Sequence, residues 1–184
     1  MTHAVVVLNK VAATDVDAFN RAAISHASAS TEDIDNGWVF ELLTKSTTTG
    51  EGEVWLATKN TTTTITNLWM AYSPEIVTVV SGSNQFKGID NDPRNFYNIN
   101  NQLFDAFKPQ IGDVITLTAD ALDSSTPQAY AIAVSSTFKL TWNGSPVSGL
   151  SLKYLETTYI SLPQAGAISE TQHVAAFKFV VTAI

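Results

Sequence analysis

Short runs of alternating apolar and polar residues recur along the chain, separated by turn residues at intervals of about ten positions. This spacing is typical of an antiparallel β-sandwich or barrel, so we expect a mainly β fold. Ten segments have the pattern of a strand, and we expect all but one or two of them to form. They are residues 4–8, 38–43, 53–58, 67–72, 76–80, 113–118, 129–134, 137–142, 150–155 and 175–182.

The clearest alternation lies in residues 137–142. Phe138, Leu140 and Trp142 alternate with polar residues, which places them on one face of a strand. Asn143-Gly144 follows directly, and this pair tolerates the positive φ that a tight hairpin turn requires. The segment therefore predicts a strand that ends in a hairpin turn.

The last residues of the chain also alternate between apolar and other positions. Phe177, Phe179 and Val181 alternate with other residues as the inward positions of a strand do. We therefore expect the C-terminus to close the sheet, and its truncation to impair folding.

One segment has helical spacing. Asp92 and Pro93 have the residue types of an N-cap and a first helical position, and Pro109 would end the helix. The apolar residues between them recur every three or four positions: Phe96, Ile99, Leu103 and Phe107. The interleaved asparagines are poor helix formers and favour an extended excursion instead. Both interpretations stay open on the sequence alone.

The N-terminal part of the chain predicts an arm. Residues 14–29 begin with Thr14 and Asp17 in a pattern like a capping box, which favours a short helix or an arm that runs into a loop. We therefore expect one or two short helices and an N-terminal arm within residues 1–35. Residues 1–184 form one β-rich domain in this interpretation, with a hinge or subdivision placed at residues 123–128.

Length and composition exclude several classes of protein. The chain has 184 residues, of which 45% are hydrophobic and 15% charged, so it is too apolar to be disordered as a whole. It contains no apolar stretch of the roughly 18 residues that a membrane span needs. It opens without a secretory leader, so we expect synthesis in the host cytoplasm and no membrane partner.

Charge and cysteine content narrow the chemistry further. The net charge of -7 repels a phosphate backbone, so we expect no nucleic-acid partner. The chain has no cysteine, which excludes disulfides, thiolate metal centres and cysteine nucleophiles.

Motifs for catalysis or metal binding are weak. The three histidines, His3, His26 and His173, lie far apart, and none has metal-ligand spacing. Residues 90–93 begin like a calcium loop, but the glycine and the bidentate glutamate of that loop are missing. Two pairs of alternating carboxylates, Asp33 with Asp35 and Glu51 with Glu53, lie beside turn glycines, which is more typical of solvated loops than of catalysis. We therefore expect no enzyme activity, no catalytic residue, no metal site and no cofactor.

The four tryptophans have two interpretations. Trp38, Trp55, Trp69 and Trp142 all lie inside apolar strand segments, which favours packing in the core or on a sheet face. The alternatives are anchors for a protein partner and platforms for stacking on sugars.

Four segments together resemble a known family. They are Asp-Ile-Asp-Asn-Gly-Trp-Val-Phe-Glu-Leu (33–42), Gly-Glu-Gly-Glu-Val-Trp-Leu-Ala-Thr-Lys (50–59), Leu-Trp-Met-Ala-Tyr-Ser-Pro-Glu (68–75) and Gly-Asp-Val-Ile-Thr-Leu-Thr (112–118). In this order they resemble the capsid decoration or auxiliary head proteins of tailed bacteriophages. The resemblance covers about residues 33–120.

The resemblance implies a non-enzymatic subunit fixed on the shell of a major capsid protein, on the exterior of the virion. We expect it to be a homo-oligomer that bridges adjacent capsid subunits. Exposure and loop position suggest the contact residues, which are Thr2, His3, Asn9, Asn36, Gly37, Gly50 and Gly82.

Two other functions stay open. A tail-tube subunit has a similar size and β content, and it would form stacked rings around the DNA. A carbohydrate-binding adhesin module would use exposed tryptophan or tyrosine with nearby Asp and Asn.

Overall fold

The computed structural model of the chain describes residues 2–25, 32–46, 53–61, 67–88, 90, 92–163 and 171–184. The strands in this part of the chain are β1 (Val6–Lys10), β2 (Asn20–Ile24), β3 (Val39–Lys45), β4 (Val54–Thr58), β5 (Leu68–Ala71), β6 (Thr78–Ser81), β7 (Asn84–Lys87), β8 (Leu103–Phe107), β9 (Val114–Thr118), β10 (Tyr130–Ala133), β11 (Leu140–Asn143), β12 (Ser151–Pro163) and β13 (Thr171–Ala183). Short 3-10 turns lie at Ala12–Thr14, Asp17–Phe19, Pro93–Asn95 and Ala119–Ala121. Across these ranges no helix is long and apolar enough to cross a membrane. The expected mainly β fold is confirmed.

Six strands form one antiparallel sheet in the order β1-β9-β13-β12-β10-β11. Its two longest strands, β12 and β13, have 13 residues each and pair with one another along their whole length. Their neighbours cover only part of them: β10 pairs with β12 at 151–153, and β9 pairs with β13 at 176–180. The far part of the β12–β13 ladder therefore extends past the rest of the sheet.

The remaining strands form a small barrel and a hairpin. The barrel closes in the order β2-β4-β3-β5-β8, with a parallel pair between β2 and β4 and antiparallel pairs elsewhere. Strands β6 and β7 form a separate antiparallel hairpin that follows β5 along the chain. We call β6 and β7, residues 78–87, the tip hairpin.

Sheet and barrel share a hydrophobic core. One cluster of buried residues contains Leu117 and Phe179 from the sheet together with Met70 and Phe107 from the barrel. A second cluster fills the barrel, where Phe40 and Phe104 meet edge to face with ring centroids 5.5 Å apart. The burial of apolar surface between the two layers fixes them against each other.

All ten segments predicted as strands overlap a strand of the structure, so the expectation that one or two would fail was wrong. Phe138, Leu140 and Trp142 are at most 6% exposed, as their alternation predicted. The prediction for the C-terminus is also confirmed, because β13 lies inside the sheet between β9 and β12. Three strands, β2, β7 and β8, had no counterpart in the prediction.

The helix predicted after Asp92 is wrong beyond its first turn. The Asp92 carboxylate caps the turn by accepting a hydrogen bond from the Arg94 backbone N–H at 3.0 Å, and Pro93 starts it. The turn ends at Asn95, the next residues are not helical, and a second turn at residues 100–102 leads into β8. The alternative, an extended Asn-rich excursion, is correct. Pairing of β8 with both β2 and β5 decides against the helix.

Two other local predictions are wrong. In residues 14–24 the predicted short helix is reduced to the 3-10 turn Asp17–Phe19, and strand β2 stands where an arm was the alternative, while residues 26–29 lie outside the described residues. Asn143-Gly144 does not form a tight hairpin, because β11 and β12 pair with opposite edges of β10. The connection between them crosses β10 instead.

Candidate interaction surfaces

The described N-terminal residues are held against the fold, so the predicted arm is wrong for residues 2–10. Strand β1 pairs with β9, and Val5 and Val6 are 2% and 4% exposed. The exposed Thr2 hydroxyl donates a weak hydrogen bond of 3.4 Å to Asp120. Burial of this apolar run stabilises the attachment by excluding water from it.

His3, another of the predicted contact residues, is held by side-chain and backbone contacts. Its Nδ1 lies 2.7 Å from an Asp35 carboxylate oxygen, and its backbone N–H donates to the Arg94 carbonyl at 2.7 Å. Its ring stacks on Tyr97 with centroids 4.7 Å apart. His3 therefore fastens the chain start to the fold instead of offering a free side chain to a partner.

Asp35 is a buried carboxylate at the centre of this attachment. Its second oxygen accepts a hydrogen bond of 2.9 Å from the Ala4 backbone N–H. Burial raises the pKa of the Asp35 carboxyl above its ordinary value, although the bonds from Ala4 and His3 act in the opposite direction. Both oxygens are occupied by partners within the chain, so we assign Asp35 a structural role.

Asn36 and Gly37 are buried, and the expectation that they form an exposed loop tip is wrong. The Asn36 side chain bonds both the carbonyl and the N–H of Ser73, at 2.9 Å each. Gly37 has φ +85, and a Cβ built there would lie 2.7 Å from Leu117 Cδ2. This turn joins the barrel to the sheet.

The other predicted contact residues divide into three cases. Asn9 is exposed on β1, and its side-chain oxygen accepts a hydrogen bond of 2.7 Å from Thr116. Gly82 is exposed at the turn of the tip hairpin, with φ +61 and no atom within 4 Å of a built Cβ. Gly50 lies outside the described residues.

The tip hairpin carries exposed apolar side chains on both sides of Gly82. Val79 and Phe86 are directly opposite one another on β6 and β7, and they are 37% and 46% exposed. At the base of the hairpin, Ile76 and Leu103 line one groove and are also more than half exposed. An isolated two-stranded hairpin is marginally stable in water, so this surface is a candidate for contact with a partner.

A second candidate surface is the part of the β12–β13 ladder that extends past the sheet. We call it the outer ladder and define it as residues 155–163 of β12 and 171–175 of β13. One of its faces is exposed and carries no acidic or basic residue except His173; its members are Thr157, Tyr159, Ser161, Thr171, His173 and Ala175. Tyr159 is 67% exposed. The strands predicted from the sequence, 150–155 and 175–182, leave out most of the outer ladder. The run Thr157 to Ile160 is rich in strand-forming residues and could have indicated the longer strand.

The tryptophans are mostly covered. Trp69 and Trp142 are each 6% exposed, and Trp38 and Trp55 are partly buried. The Trp142 indole N–H donates to the Ser124 carbonyl at 2.8 Å, which places residues 123–124 against the edge of β11. The packing interpretation is thus confirmed for Trp69 and Trp142.

A groove of about 500 Å³ lies at the joint between sheet and barrel. Leu8 of β1 forms one wall, Arg21 of β2 and Phe107 of β8 form others, and Tyr72 lies at its rim. Across the described parts of the chain, no group of three or more His, Asp or Glu residues is placed to hold a metal ion.

Comparisons of this chain with protein-family models, with curated proteins and with solved structures find no match.

Proposed function

We propose that this chain is a non-enzymatic structural protein of a tailed-phage virion. It binds the outer surface of the capsid and bridges neighbouring major capsid subunits, several copies acting together.

The resemblance to phage head proteins supports the proposal, and the four resembling segments are neighbours in the fold. Strand β3, which begins in segment 33–42, pairs with β4 and with β5, which lie in segments 50–59 and 68–75. The turn at Gly37 abuts Leu117 of segment 112–118. The resemblance therefore concerns one contiguous scaffold rather than scattered short matches.

The observation that carries the proposal is the tip hairpin. It holds Val79 and Phe86 in an exposed cross-strand pair beside Gly82, a position already expected to contact a partner. An exposed apolar pair on a marginal hairpin gains stability when a partner surface covers it. A capsid surface is a partner that provides such cover at every symmetry-related copy.

Charge supports the same partner. The chain carries a net charge of -7, which favours approach to basic patches on a capsid exterior and disfavours the packaged DNA. Individually weak contacts add up when one copy touches two capsid subunits, because the second contact forms at a high effective concentration.

The test is binding to particles. Purified chain is mixed with capsids that lack it, and the bound fraction is measured by sedimentation. We expect saturable binding by the wild type and at least tenfold weaker binding by Phe86→Lys. Ile111→Lys is the matched control, since Ile111 is a 66% exposed apolar residue outside the tip hairpin.

Three results would contradict the proposal or its contact surface. Absence of wild-type binding would overturn capsid attachment, and equal binding of Phe86→Lys would remove the tip hairpin from it. Assembly of the purified chain into stacked rings or tubes would instead support the tail-tube function.

A further inference from the structure

The six-stranded sheet and its outer ladder have four open edges: β1, β11, the outer side of β12 from Leu155 to Pro163, and the outer side of β13 from Thr171 to Ala175. The first two are blocked, and the β13 edge is only five residues long. Strand β1 has five residues, and its register breaks between Leu8 and Lys10. Strand β11 has four residues and is capped, because Asp123 donates to the Leu140 carbonyl and accepts from the Trp142 N–H. Short length, irregular register and capping are the usual ways in which proteins prevent strands from pairing at an edge.

The third edge is the outer side of β12, and it has little such protection. From Leu155 to Pro163 the strand pairs only with β13, and no other backbone partner lies among the described residues. Its one charged residue, Glu156, is held by Lys178 of β13 at 3.2 Å. This leaves an open edge nine residues long, along which alternate residues direct their N–H and C=O groups outward, where another strand can pair with them.

We propose that two copies of this chain pair through this edge, strand β12 against strand β12 of the second copy, antiparallel about a two-fold axis at Tyr159. The inference deepens the proposed function, because it names the surface that joins copies of the chain. It does not depend on binding to a capsid.

The register follows from the limits of the open edge. A register shift lies between Tyr154 and Glu156, and Pro163 has no N–H to donate. The middle of residues 155–163 is Tyr159, so the longest symmetric pairing places Tyr159 opposite its own copy. Thr157 then faces Ser161 of the second copy, and the two tyrosine rings form an aromatic cross-strand pair.

Charge is compatible with a second copy as the occupant. Two chains of net charge -7 repel one another, so contact is favoured where acidic residues are scarce. In the proposed register the two Glu156 carboxylates lie six residues apart along the paired strands, about 20 Å. This exceeds the Debye length of about 8 Å at physiological ionic strength, so their repulsion is largely screened.

The size of the edge sets the strength of the pairing. Nine residues on each side is well below the roughly 20 to 30 that a standard stable interface uses, so the free dimer is weak. Copies fixed side by side on a capsid would pair at a much higher effective concentration.

Cysteine cross-linking tests the register directly. The chain has no native cysteine, so a single introduced thiol can form a disulfide only between copies. Under a mild oxidant, Tyr159→Cys should give a covalent dimer at least tenfold faster than Leu155→Cys. Directly opposite residues fit a disulfide, whereas two copies of residue 155 would lie about 27 Å apart in this register.

Sedimentation of the full chain over a concentration series provides a second measurement. We expect a reversible dimer that Tyr159→Lys abolishes and that Ile111→Lys, at an exposed apolar residue before β9, preserves. Equal cross-linking of the two cysteine variants, a dimer that persists in Tyr159→Lys, or a wild type that stays monomeric at millimolar concentration would each overturn the inference. Each of these results is independent of whether the chain binds capsids.

Discussion

Strand β1 and the outer ladder lie near opposite ends of the chain and differ in how far the fold covers them. The start of the chain was predicted both as a strand, at residues 4–8, and as part of an arm; the strand is correct, because β1 is paired and Val5 and Val6 are buried. At the other end of the chain, β12 was expected to end at residue 155 and β13 to begin at residue 175. Both strands are longer and extend past the strands beside them. An unbroken apolar run near a terminus therefore marks a covered strand, whereas a Thr- and Tyr-rich run continues a strand into solvent.

The largest effect on the free energy of unfolding should distinguish the covered part of the β12–β13 ladder, at Phe179, from its exposed part, at Tyr159. Phe179 is fully buried in the core, so Phe179→Ala should lower the free energy of unfolding by about 3–5 kcal/mol. Tyr159→Ala, at a 67% exposed position, should change it by less than about 0.5 kcal/mol. Chemical denaturation at low protein concentration measures both, and similar costs would contradict the division of the ladder.

The turn that joins barrel and sheet should be the next most sensitive point. Gly37→Ala places a Cβ 2.7 Å from Leu117 Cδ2 at φ +85, so strain and overpacking together should cost about 2–4 kcal/mol. Gly82→Ala is the matched control, since its φ is also positive but the space around it is open; it should cost about 1 kcal/mol. Equal costs at the two positions would show that Gly37 is not packed against β9.

The attachment of the chain start should depend on pH through Asp35. Its native pKa is raised by burial, so between the ordinary and the native pKa the folded chain binds more protons than the unfolded chain. The contribution of this group to stability is therefore greatest at low pH and falls as pH rises through the native pKa. Asp35→Asn removes the titration, and the free-energy cost of the substitution should be larger at pH 4 than at pH 7.

The measurement is chemical denaturation of both proteins at the two pH values. Asp15→Asn, at an exposed carboxylate, serves as control and should show a smaller change in cost. A cost of Asp35→Asn that grows with pH would contradict burial as the dominant influence on this carboxyl.

The smallest effect should come from the ion pair between Glu156 of the outer ladder and Lys178 of β13. Lys178 and Glu156 lie 3.2 Å apart, and their side chains are 34% and 60% exposed. Solvent and salt screen such a pair, so Glu156→Gln should change the free energy of unfolding by less than about 0.5 kcal/mol. A cost above 1 kcal/mol in thermal or chemical denaturation would show that the outer ladder depends on this pair.

Much of the strand content could be predicted from the sequence because burial on one face leaves a pattern of period two. Phe177, Phe179 and Val181 have that pattern and are all buried. Strand β8 was missed because Leu103 and Phe107 also satisfy a helical spacing, and only pairing with β2 and β5 decides between them. Strand β2 contains a charged and a polar residue, Arg21 and Asn20, and its pattern is too weak to stand out.

The candidate surfaces were less predictable because they depend on distant partners. Asn36-Gly37 has the composition of an exposed turn, yet Ser73, far along the chain, buries it. Gly82 has a similar local signal and is exposed, because nothing packs over the tip hairpin at that point. Local residue type predicted turns at both places, while long-range packing decided which one reaches solvent.

The most direct test of the proposed function is the number of copies of this chain in purified particles of the tailed phage that the proposal assigns it to. Quantitative mass spectrometry gives that number relative to the major capsid protein. We predict a stoichiometric ratio, with copies at symmetry-related sites over the whole shell. A few copies per particle would instead indicate a location at the portal or the tail. Particles that lack the chain would contradict a role in the virion.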